Sequence, residues 1–420
     1  MNLSSNKRGA QSAFLSLGAG ICVALFWAIG STAYAATITV TNTNDSGPGS
    51  LRQALAVAND GDRITFAVSG TITLTSGGLA VFKNVTISGP GADQLSIDAN
   101  SSPIHLSSGF YVAAIATISG LTIRNGADGI DNLGGTLTVK NCVISGNGSG
   151  IYNTTPEFGT VTTTILSTVV SGNSQGGVVT QPDIFSGGAT VTITDCTISG
   201  NFSAPGGGGI FGAHTLLTVA NSTISGNSTA NSFASSGGGI RIINSFASIV
   251  NSTISGNSAE TSGGGIAAAS LRVANCTITG NSAPSGGGIY NEGSVEVSNT
   301  ILNAGASGEN IFNDGGTVTS DGYNLSSDDG SGYLNGPGDQ INTDPLLGPL
   351  QDNGGPTLTH LPLPGSPAID AGDPEFTRPP YHDQRGPCFY RVFGRRIDIG
   401  SVETQPRPRC VTPAPRPTPH

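Results

Sequence analysis

The chain has few charged and few aromatic side chains. Only 10% of its residues are charged and 6% are aromatic, and acidic residues outnumber basic ones, which gives a formal net charge of −10. An acidic surface lacks the electrostatic attraction on which nucleic-acid binding depends, so we expect no nucleic-acid partner. Beyond residue 35 no apolar run is long enough to cross a bilayer, and we expect no transmembrane segment in the mature chain.

The residue spacings that hold transition metals are also missing. There is no His-x-x-His or Cys-x-x-Cys pair, so no metal site is expected and no cofactor is predicted. An Asp-rich stretch at 321–344 allows a Ca²⁺ site, but it lacks the spacing of a known calcium loop, and a solvated loop is the preferred interpretation.

Carboxylates do not recur at one position of successive repeats, which argues against a charged catalytic column. Asp128 and Asp131, on either side of Ile130, are the first choice of a catalytic pair if the protein is an enzyme. The more ordinary interpretation is a solvated pair at a corner of the chain, so no catalytic residue is predicted.

What the chain does have is a repeat. Residues 221–227 read Asn-Ser-Thr-Ile-Ser-Gly-Asn, 251–257 repeat them, and 275–281 differ by two residues. A unit of this length without a helical segment indicates a solenoid of short parallel strands. Alternation along each strand places one aliphatic residue inward per coil. These inward positions are Ile87, Ile123, Ile144, Val170, Ile198, Ile224, Ile254, Ile278 and Leu302.

Two polar columns follow from the same alignment. An asparagine column at the corners, suited to hydrogen bonding along the solenoid axis, comprises Asn147, Asn173, Asn201, Asn227, Asn257 and Asn281. An outward hydroxyl grid comprises Thr197, Ser199, Thr223, Ser225, Thr253, Ser255, Thr277 and Thr279. The grid is a candidate surface for ice or for carbohydrate hydroxyls; alternatively, Thr and Ser are simply good solvent-facing strand residues.

The ends of the chain differ from the repeats. Residues 1–35 have the charged start, apolar run and small-x-small ending of a signal peptide cleaved near Ala35. Residues 36–66 are predicted to form an N-terminal cap, with a short helix that begins in the capping-box pattern Ser50 to Gln53. The β-helix is predicted over 67–319, a small irregular domain over 320–404 and an extended Pro-rich tail over 405–420.

Five cysteines follow the predicted cleavage site. Cys142, Cys196 and Cys276 take inward positions and are expected to be buried fillers. Cys388 and Cys410 lie outside the repeats and are a candidate disulfide in an exported protein, although sequence alone does not establish the pairing.

Together these motifs carry a family resemblance. The Gly-Ser-Leu-Arg-Gln-Ala segment at 49–54 and the repeated coils resemble bacterial right-handed parallel β-helix proteins of the pectin-lyase-like superfamily, in particular the polymorphic-outer-membrane-protein-like group. Asp352-Asn353-Gly354-Gly355-Pro356 and the segments 365–372, 383–386 and 398–403 are similar to the choice-of-anchor Q domain. The resemblance implies an all-β parallel solenoid in an exported protein, either secreted or held at the cell surface or outer membrane.

The function expected from the sequence is therefore non-enzymatic. The protein is predicted to act as a rigid scaffold for adhesion or carbohydrate contact, with a glycan or a host or neighbouring cell surface as partner. The alternatives are a polysaccharide lyase or glycoside hydrolase of the pectin-lyase-like superfamily, and an ice-binding surface formed by the hydroxyl grid. The sequence does not indicate an oligomeric state.

Overall fold

A computed structural model describes residues 35–100, 107–155, 159–181, 188–204, 206–230 and 235–406. The predicted signal peptide up to residue 34, the tail from residue 407 and Cys410 lie outside the described residues. The described part is an all-β solenoid of about ten turns with very little helix. Pairing between its strands, numbered in chain order, is parallel throughout.

Each full coil contributes strands to three faces. Face B is formed by β1 (Thr37–Val40), β2 (Arg63–Phe66), β5 (Val85–Ser88), β8 (Ile115–Ser119), β11 (Thr136–Lys140), β14 (Val161–Leu166), β17 (Ala189–Thr194), β21 (Thr215–Ala220), β25 (Phe246–Val250) and β33 (Thr317–Gly322). Face A is formed by β4 (Leu79–Val81), β7 (Phe110–Val112), β10 (Asp128–Leu133), β13 (Ser149–Thr154), β16 (Val178–Thr180), β20 (Ile210–Ala213), β24 (Ile240–Ile243) and β32 (Ile311–Asn313).

Two long strands, β28 (Ile266–Ala274) and β30 (Ile289–Ser298), run through both of these faces and join them into one sheet of 20 described strands. Face C is a separate sheet formed by β3 (Gly70–Thr73), β6 (Leu95–Asp98), β9 (Thr122–Arg124), β12 (Val143–Ser145), β15 (Val169–Ser171), β18 (Thr197–Ser199), β22 (Thr223–Ser225), β26 (Thr253–Ser255), β29 (Thr277–Thr279), β31 (Ile301–Asn303) and β34 (Leu325–Ser326). A third small sheet contains β19 (Phe202–Ser203), β23 (Ser228–Thr229) and β27 (Ser258–Ala259).

The core is the stack of inward aliphatic side chains. Eight of the nine predicted inward positions, from Ile123 to Leu302, align across face C and are fully buried. The assignment of Ile87 to this column is wrong: Ile87 lies on β5 of face B, and Ile97 of β6 is the residue in register with Ile123. The Val-Thr-Ile-Ser segment at 85–88 has the same alternation as a face C strand, and only the pairing separates the two.

The corners are held by a ladder of buried amides. Nδ2 of Asn173 donates to Oδ1 of Asn201 at 2.8 Å, and the same contact links each successive pair from Asn147 to Asn281. Each Nδ2 also donates to a backbone carbonyl of the preceding coil. The glycine before each face A strand packs on this ladder, since a Cβ on Gly239 would lie 2.6 Å from the carbonyl oxygen of Gly265.

The N-terminal helix forms as the capping box predicts. It spans α1 (Leu51–Val57), and the Ser50 side chain accepts a hydrogen bond from the Gln53 amide. Leu51 and Ala54 are buried against the first coils. The predicted cap at 36–66 also contains β1 and β2, so the first strands of face B begin inside it.

Strand pairing continues past the predicted end of the β-helix at residue 319, which falls inside β33. A short 3₁₀ turn, Gly330–Gly332, follows, and from there to residue 406 the chain forms only isolated bridges. This C-terminal region packs on face C within one compact unit that begins at Ala35. No helix among the described residues is long and apolar enough to span a membrane.

Candidate functional site

Outward side chains of face A form one continuous column, here named the face A column. Strand register places them one above another. Its members are Tyr111, Asp131, Tyr152, Val179, Phe211, Arg241, Ala267, Tyr290 and Phe312. Five of the nine are aromatic and partly exposed, in a chain with only 6% aromatic residues. Adjacent strands lie roughly 4.8 Å apart, so the column is a long, narrow strip in which one or two other side chains separate the rings, except at the neighbouring Tyr290 and Phe312.

Asp131 lies between two of these rings, with Tyr111 on one side and Tyr152 on the other. Its Oδ1 atom is buried and has no hydrogen-bond partner among the described residues. Burial, and then the negative charge of Asp128, raise the pKa of Asp131 to about 6. The carboxyl group therefore titrates near neutrality and is available to a ligand.

Asp128 begins the same strand and is held more firmly. It accepts a hydrogen bond from the Ser108 hydroxyl at 3.2 Å and interacts with the side chain and backbone of Ser149. Burial outweighs these hydrogen bonds and raises the pKa of Asp128. The expectation of a solvated corner pair is wrong, because both carboxyls are partly buried on β10 and not at a corner.

Tyr152 completes this segment of the column. Its hydroxyl donates to Oε1 of Gln181 at 3.2 Å, which fixes the orientation of the ring. Burial raises the pKa of Tyr152, and the charges of Asp128 and Asp131 raise it further. The phenol therefore stays protonated beside the two carboxyls.

At its other end the column contains an ion pair. The guanidinium of Arg241 reaches past Ala267 to pair with Glu292 at 2.8 Å. The Tyr290 hydroxyl donates to Asp314 at 2.7 Å, and the rings of Tyr290 and Phe312 stack with centroids 5.3 Å apart. The two ends thus share aromatic rings and differ in charge, since this end has the Arg241–Glu292 ion pair, whereas no basic side chain of the described residues pairs with Asp128 or Asp131 at the other end.

The predicted hydroxyl grid points away from the core but is not a free surface. Thr223, Thr253, Ser255, Thr277 and Thr279 are buried, while Thr197, Ser199 and Ser225 stay partly exposed. The prediction of a solvent-facing grid is wrong for the buried five. The C-terminal region contacts four of them, and the Thr279 hydroxyl accepts a hydrogen bond from Asn303 of β31.

Gln384 carries much of that contact. Its Nε2 donates to the Thr223 hydroxyl at 2.9 Å, and its Oε1 accepts from the Thr253 hydroxyl at 2.6 Å. Ser401 contacts both Thr253 and Thr277, and Nε2 of His360 contacts Ser255 at 2.8 Å. The five buried hydroxyls are therefore not accessible to ice or to a glycan, whereas Thr197, Ser199 and Ser225 remain partly exposed.

The residues flanking Gln384 belong to a buried ionic cluster, named here the C-terminal ion cluster. Its members are Asp383, Arg385, Arg391, Asp398 and Glu403. Arg385 pairs with Asp383 at 2.6 Å, and Nη2 of Arg391 donates to the carbonyl of Gly400 at 2.7 Å and to Oδ1 of Asn275 at 3.2 Å. These contacts fasten the C-terminal region to the solenoid.

No group of three or more potential metal ligands occurs within the described ranges. In the Asp-rich stretch, Asp328 accepts from the backbone amides of Asn310 and Gly330, and Asp339 accepts from those of Asn324 and Gly336. These carboxylates hold turns. Cys142, Cys196 and Cys276 are buried, and Cys388 is disulfide-bonded.

Comparison with known proteins identifies the fold. Residues 60–229 match the family model described as a right-handed β-helix region. No curated protein sequence matches the chain. Among solved structures, pectate lyase Pel9A aligns with a TM-score of 0.56 at 15% identity, covering 88% of this chain and 96% of that one. The chain is therefore a right-handed parallel β-helix.

Two further structures align at lower scores. The A-module of mannuronan C-5 epimerase AlgE6 from Azotobacter vinelandii has a TM-score of 0.40 at 14% identity, covering 69% of this chain and 88% of its own. The catalytic unit of the GH87 α-1,3-glucanase from Streptomyces thermodiastaticus has a TM-score of 0.37 at 16% identity, covering 70% of each chain.

Sequence reasoning identified Asp128 and Asp131 but missed the aromatic residues around them. The signal was available, since Ile130-Asp131, Ile151-Tyr152, Ile210-Phe211 and Ile289-Tyr290 each follow a glycine corner. Aligning the repeats on the Thr-Ile-Ser strand compares the residues of face C. The outward residues of face A are the second residues after each glycine corner, and they vary from coil to coil.

Proposed function

We propose that the protein is an exported glycan-binding β-helix that acts at or beyond the cell surface, and that the face A column receives an extended polysaccharide. The observation that carries this proposal is the register of five partly exposed aromatic rings along one face. Partly apolar rings bound by polar groups suit amphipathic ligands such as sugars. The signal-like sequence at 1–35 supports export, and the resemblance of the C-terminal segments to a choice-of-anchor Q domain supports a surface role.

Binding to immobilised or gel-embedded polysaccharides, measured by affinity electrophoresis, tests this proposal. Tyr152→Ala removes a ring from the centre of the strip, and we expect a loss of affinity of about tenfold or more, as for an aromatic anchor. Tyr381→Ala removes an equally large ring from an exposed position in the C-terminal region and serves as the matched control. Equal binding by both variants and the wild type contradicts the proposal.

A second candidate function is cleavage of the bound polysaccharide by acid–base chemistry. The specific observation in its favour is the pKa of Asp131, raised to about 6 beside the Asp128 carboxyl. A group that titrates near neutrality is suited to transfer a proton. The assay is release of reducing or unsaturated sugar ends from the glycans that bind. Turnover that Asp131→Asn abolishes establishes this function, and binding without any release of ends contradicts it.

A further inference from the structure

The Asp131 segment of the face A column is acidic in an unusual way. Several other carboxylates that are withdrawn from solvent pair with an arginine: Asp45 with Arg52, Asp98 with Arg124 and Asp383 with Arg385. Among the described residues, burial and Asp128 act on Asp131, and burial and two serines act on Asp128. No basic side chain in the described part of the chain pairs with either of the two.

The missing partner must be a hydrogen-bond donor. An ionised carboxylate only accepts hydrogen bonds, and Oδ1 of Asp131 is buried without one. Asp128 already receives the hydroxyl of Ser108 and interacts with Ser149. Asp131 as a whole is partly exposed on face A, so a donor or a cation of a ligand can approach its carboxylate from the solvent side and stabilise a charge that no described basic side chain pairs with.

The same carboxylates discriminate between classes of glycan. A sugar ring stacked on Tyr111 or Tyr152 places its substituents within one strand spacing of Asp131. A uronate carboxylate there faces two like charges and no cation from the described residues, which is repulsive. A protonated amine meets a carboxylate and the faces of two phenol rings, and both attract a cation.

We propose that this segment takes glycans with protonated amino groups in preference to neutral glycans, and that it rejects polyuronates. The inference rests on the proposed glycan-binding function and adds the ligand class. It points away from acidic polysaccharides, since it follows from the charges beside Tyr111 and Tyr152 and not from the fold.

Titration calorimetry of the full chain against three oligosaccharides of matched length tests the proposal. The probes are a glucosamine oligomer, an N-acetylglucosamine oligomer and a galacturonate oligomer. We expect the glucosamine oligomer to bind at least about tenfold more tightly than its acetylated counterpart, as one charge-assisted hydrogen bond implies, and the galacturonate oligomer not to bind.

Asp131→Asn keeps the shape and removes the charge. It is expected to bring the glucosamine oligomer down to the affinity of the acetylated one. Asp93→Asn, an exposed carboxylate in a loop, makes the same change of net charge elsewhere and should preserve the preference. The wild-type ratio is informative by itself, so the test does not depend on the stability of a variant.

The outcomes separate the two proposals. Galacturonate binding as tight as glucosamine binding, or a preference for glucosamine that persists in Asp131→Asn, overturns the inference and leaves the glycan-binding function standing. Failure of all three oligomers and of neutral polysaccharides to bind overturns both.

Discussion

The protein has two groups of acidic side chains withdrawn from solvent, and they differ in what faces them. In the C-terminal ion cluster, three carboxylates meet the guanidinium groups of Arg385 and Arg391, both buried. In the face A column, Asp128 and Asp131 meet serine hydroxyls and tyrosine rings without a cation from the described residues. The first group contains its own cations, and the second has none among the described residues.

This contrast separates a structural role from a binding role. A buried charge with its partner removed is strongly destabilising, so a cluster that holds two parts of a fold together must carry its own counter-ions. A carboxyl without a charged partner is tolerated where solvent or a ligand reaches it, because its charge is then only partly desolvated. Changes to the two groups should therefore affect different properties.

The largest effect is expected from removal of a cation in the C-terminal ion cluster. Arg391→Met leaves Asp398 and Glu403 buried with less compensation, and we expect a loss of about 3–5 kcal/mol in the free energy of unfolding. Urea denaturation measures it. Arg272→Met on face B, where the side chain is 56% exposed, is the matched control and should change stability by less than about 0.5 kcal/mol. If both variants lost only a small and similar amount of unfolding free energy, the C-terminal ion cluster would not have the structural role proposed for it.

The pH dependence of stability comes next. Burial, and then the charge of Asp398, raise the pKa of Glu403 from 4.5 to about 8. Between these two pH values the Glu403 carboxyl keeps its proton in the folded state and loses it in the unfolded chain. The contribution of Glu403 to the free energy of unfolding is fully present below about pH 4.5 and is lost as the pH rises to about 8.

Glu403→Gln should flatten that part of the stability profile, by an amount on the order of a few kcal/mol between the two limits. Glu296→Gln, an exposed carboxylate on face B, is the control. Urea midpoints measured across this pH range decide the matter, and a wild-type profile that the Glu403 substitution leaves unchanged contradicts the assignment.

A smaller effect is expected at the covered part of face C. Thr253→Val removes the donor to Oε1 of Gln384 and leaves that buried oxygen unpaired, with an expected loss of about 1–3 kcal/mol. Thr197→Val makes the same change in the same repeat position where the C-terminal region does not cover it, and stability should stay within about 0.5 kcal/mol. Equal melting temperatures would show that the two positions have the same environment.

The smallest effect on stability is expected at Asp131 itself. The contribution of Asp131 to stability is present below pH 3.8, the ordinary pKa of the group, and is lost as the pH rises through about 6, its pKa in the folded state. Asp131→Asn should therefore be as stable as the wild type below pH 4 and slightly more stable above pH 6, by less than about 1 kcal/mol because the group is partly exposed. Thermal melts at both pH values test this. A large loss of stability would assign Asp131 to the structural group.

The repeats made much of the fold predictable. A two-residue alternation with one aliphatic residue per coil permits only stacked parallel strands, and eight of the nine inward positions lie in one column. The error at Ile87 shows the limit of that reasoning, because strands of faces B and C have the same local pattern and their pairing is decided by the length of the intervening corners.

The site was less predictable for a related reason. Tyr111, Tyr152 and Phe211 are far apart in sequence, and each is one variable outward residue in its own coil. They become a surface only when the insertions between them are absorbed at corners and the strands align. Burial of Thr253 was equally hidden, because Gln384 meets it from 131 residues along the chain.

The sequence by itself determined the architecture: periodic aliphatic, asparagine and glycine positions make a parallel solenoid, because these local constraints repeat in every coil. Tertiary structure decided which outward faces stay open. The C-terminal region closes the hydroxyl face, whose donors and acceptors it satisfies, and leaves the aromatic column uncovered. Hydrogen bonding and burial between distant segments govern that choice, and no periodicity in the chain encodes it.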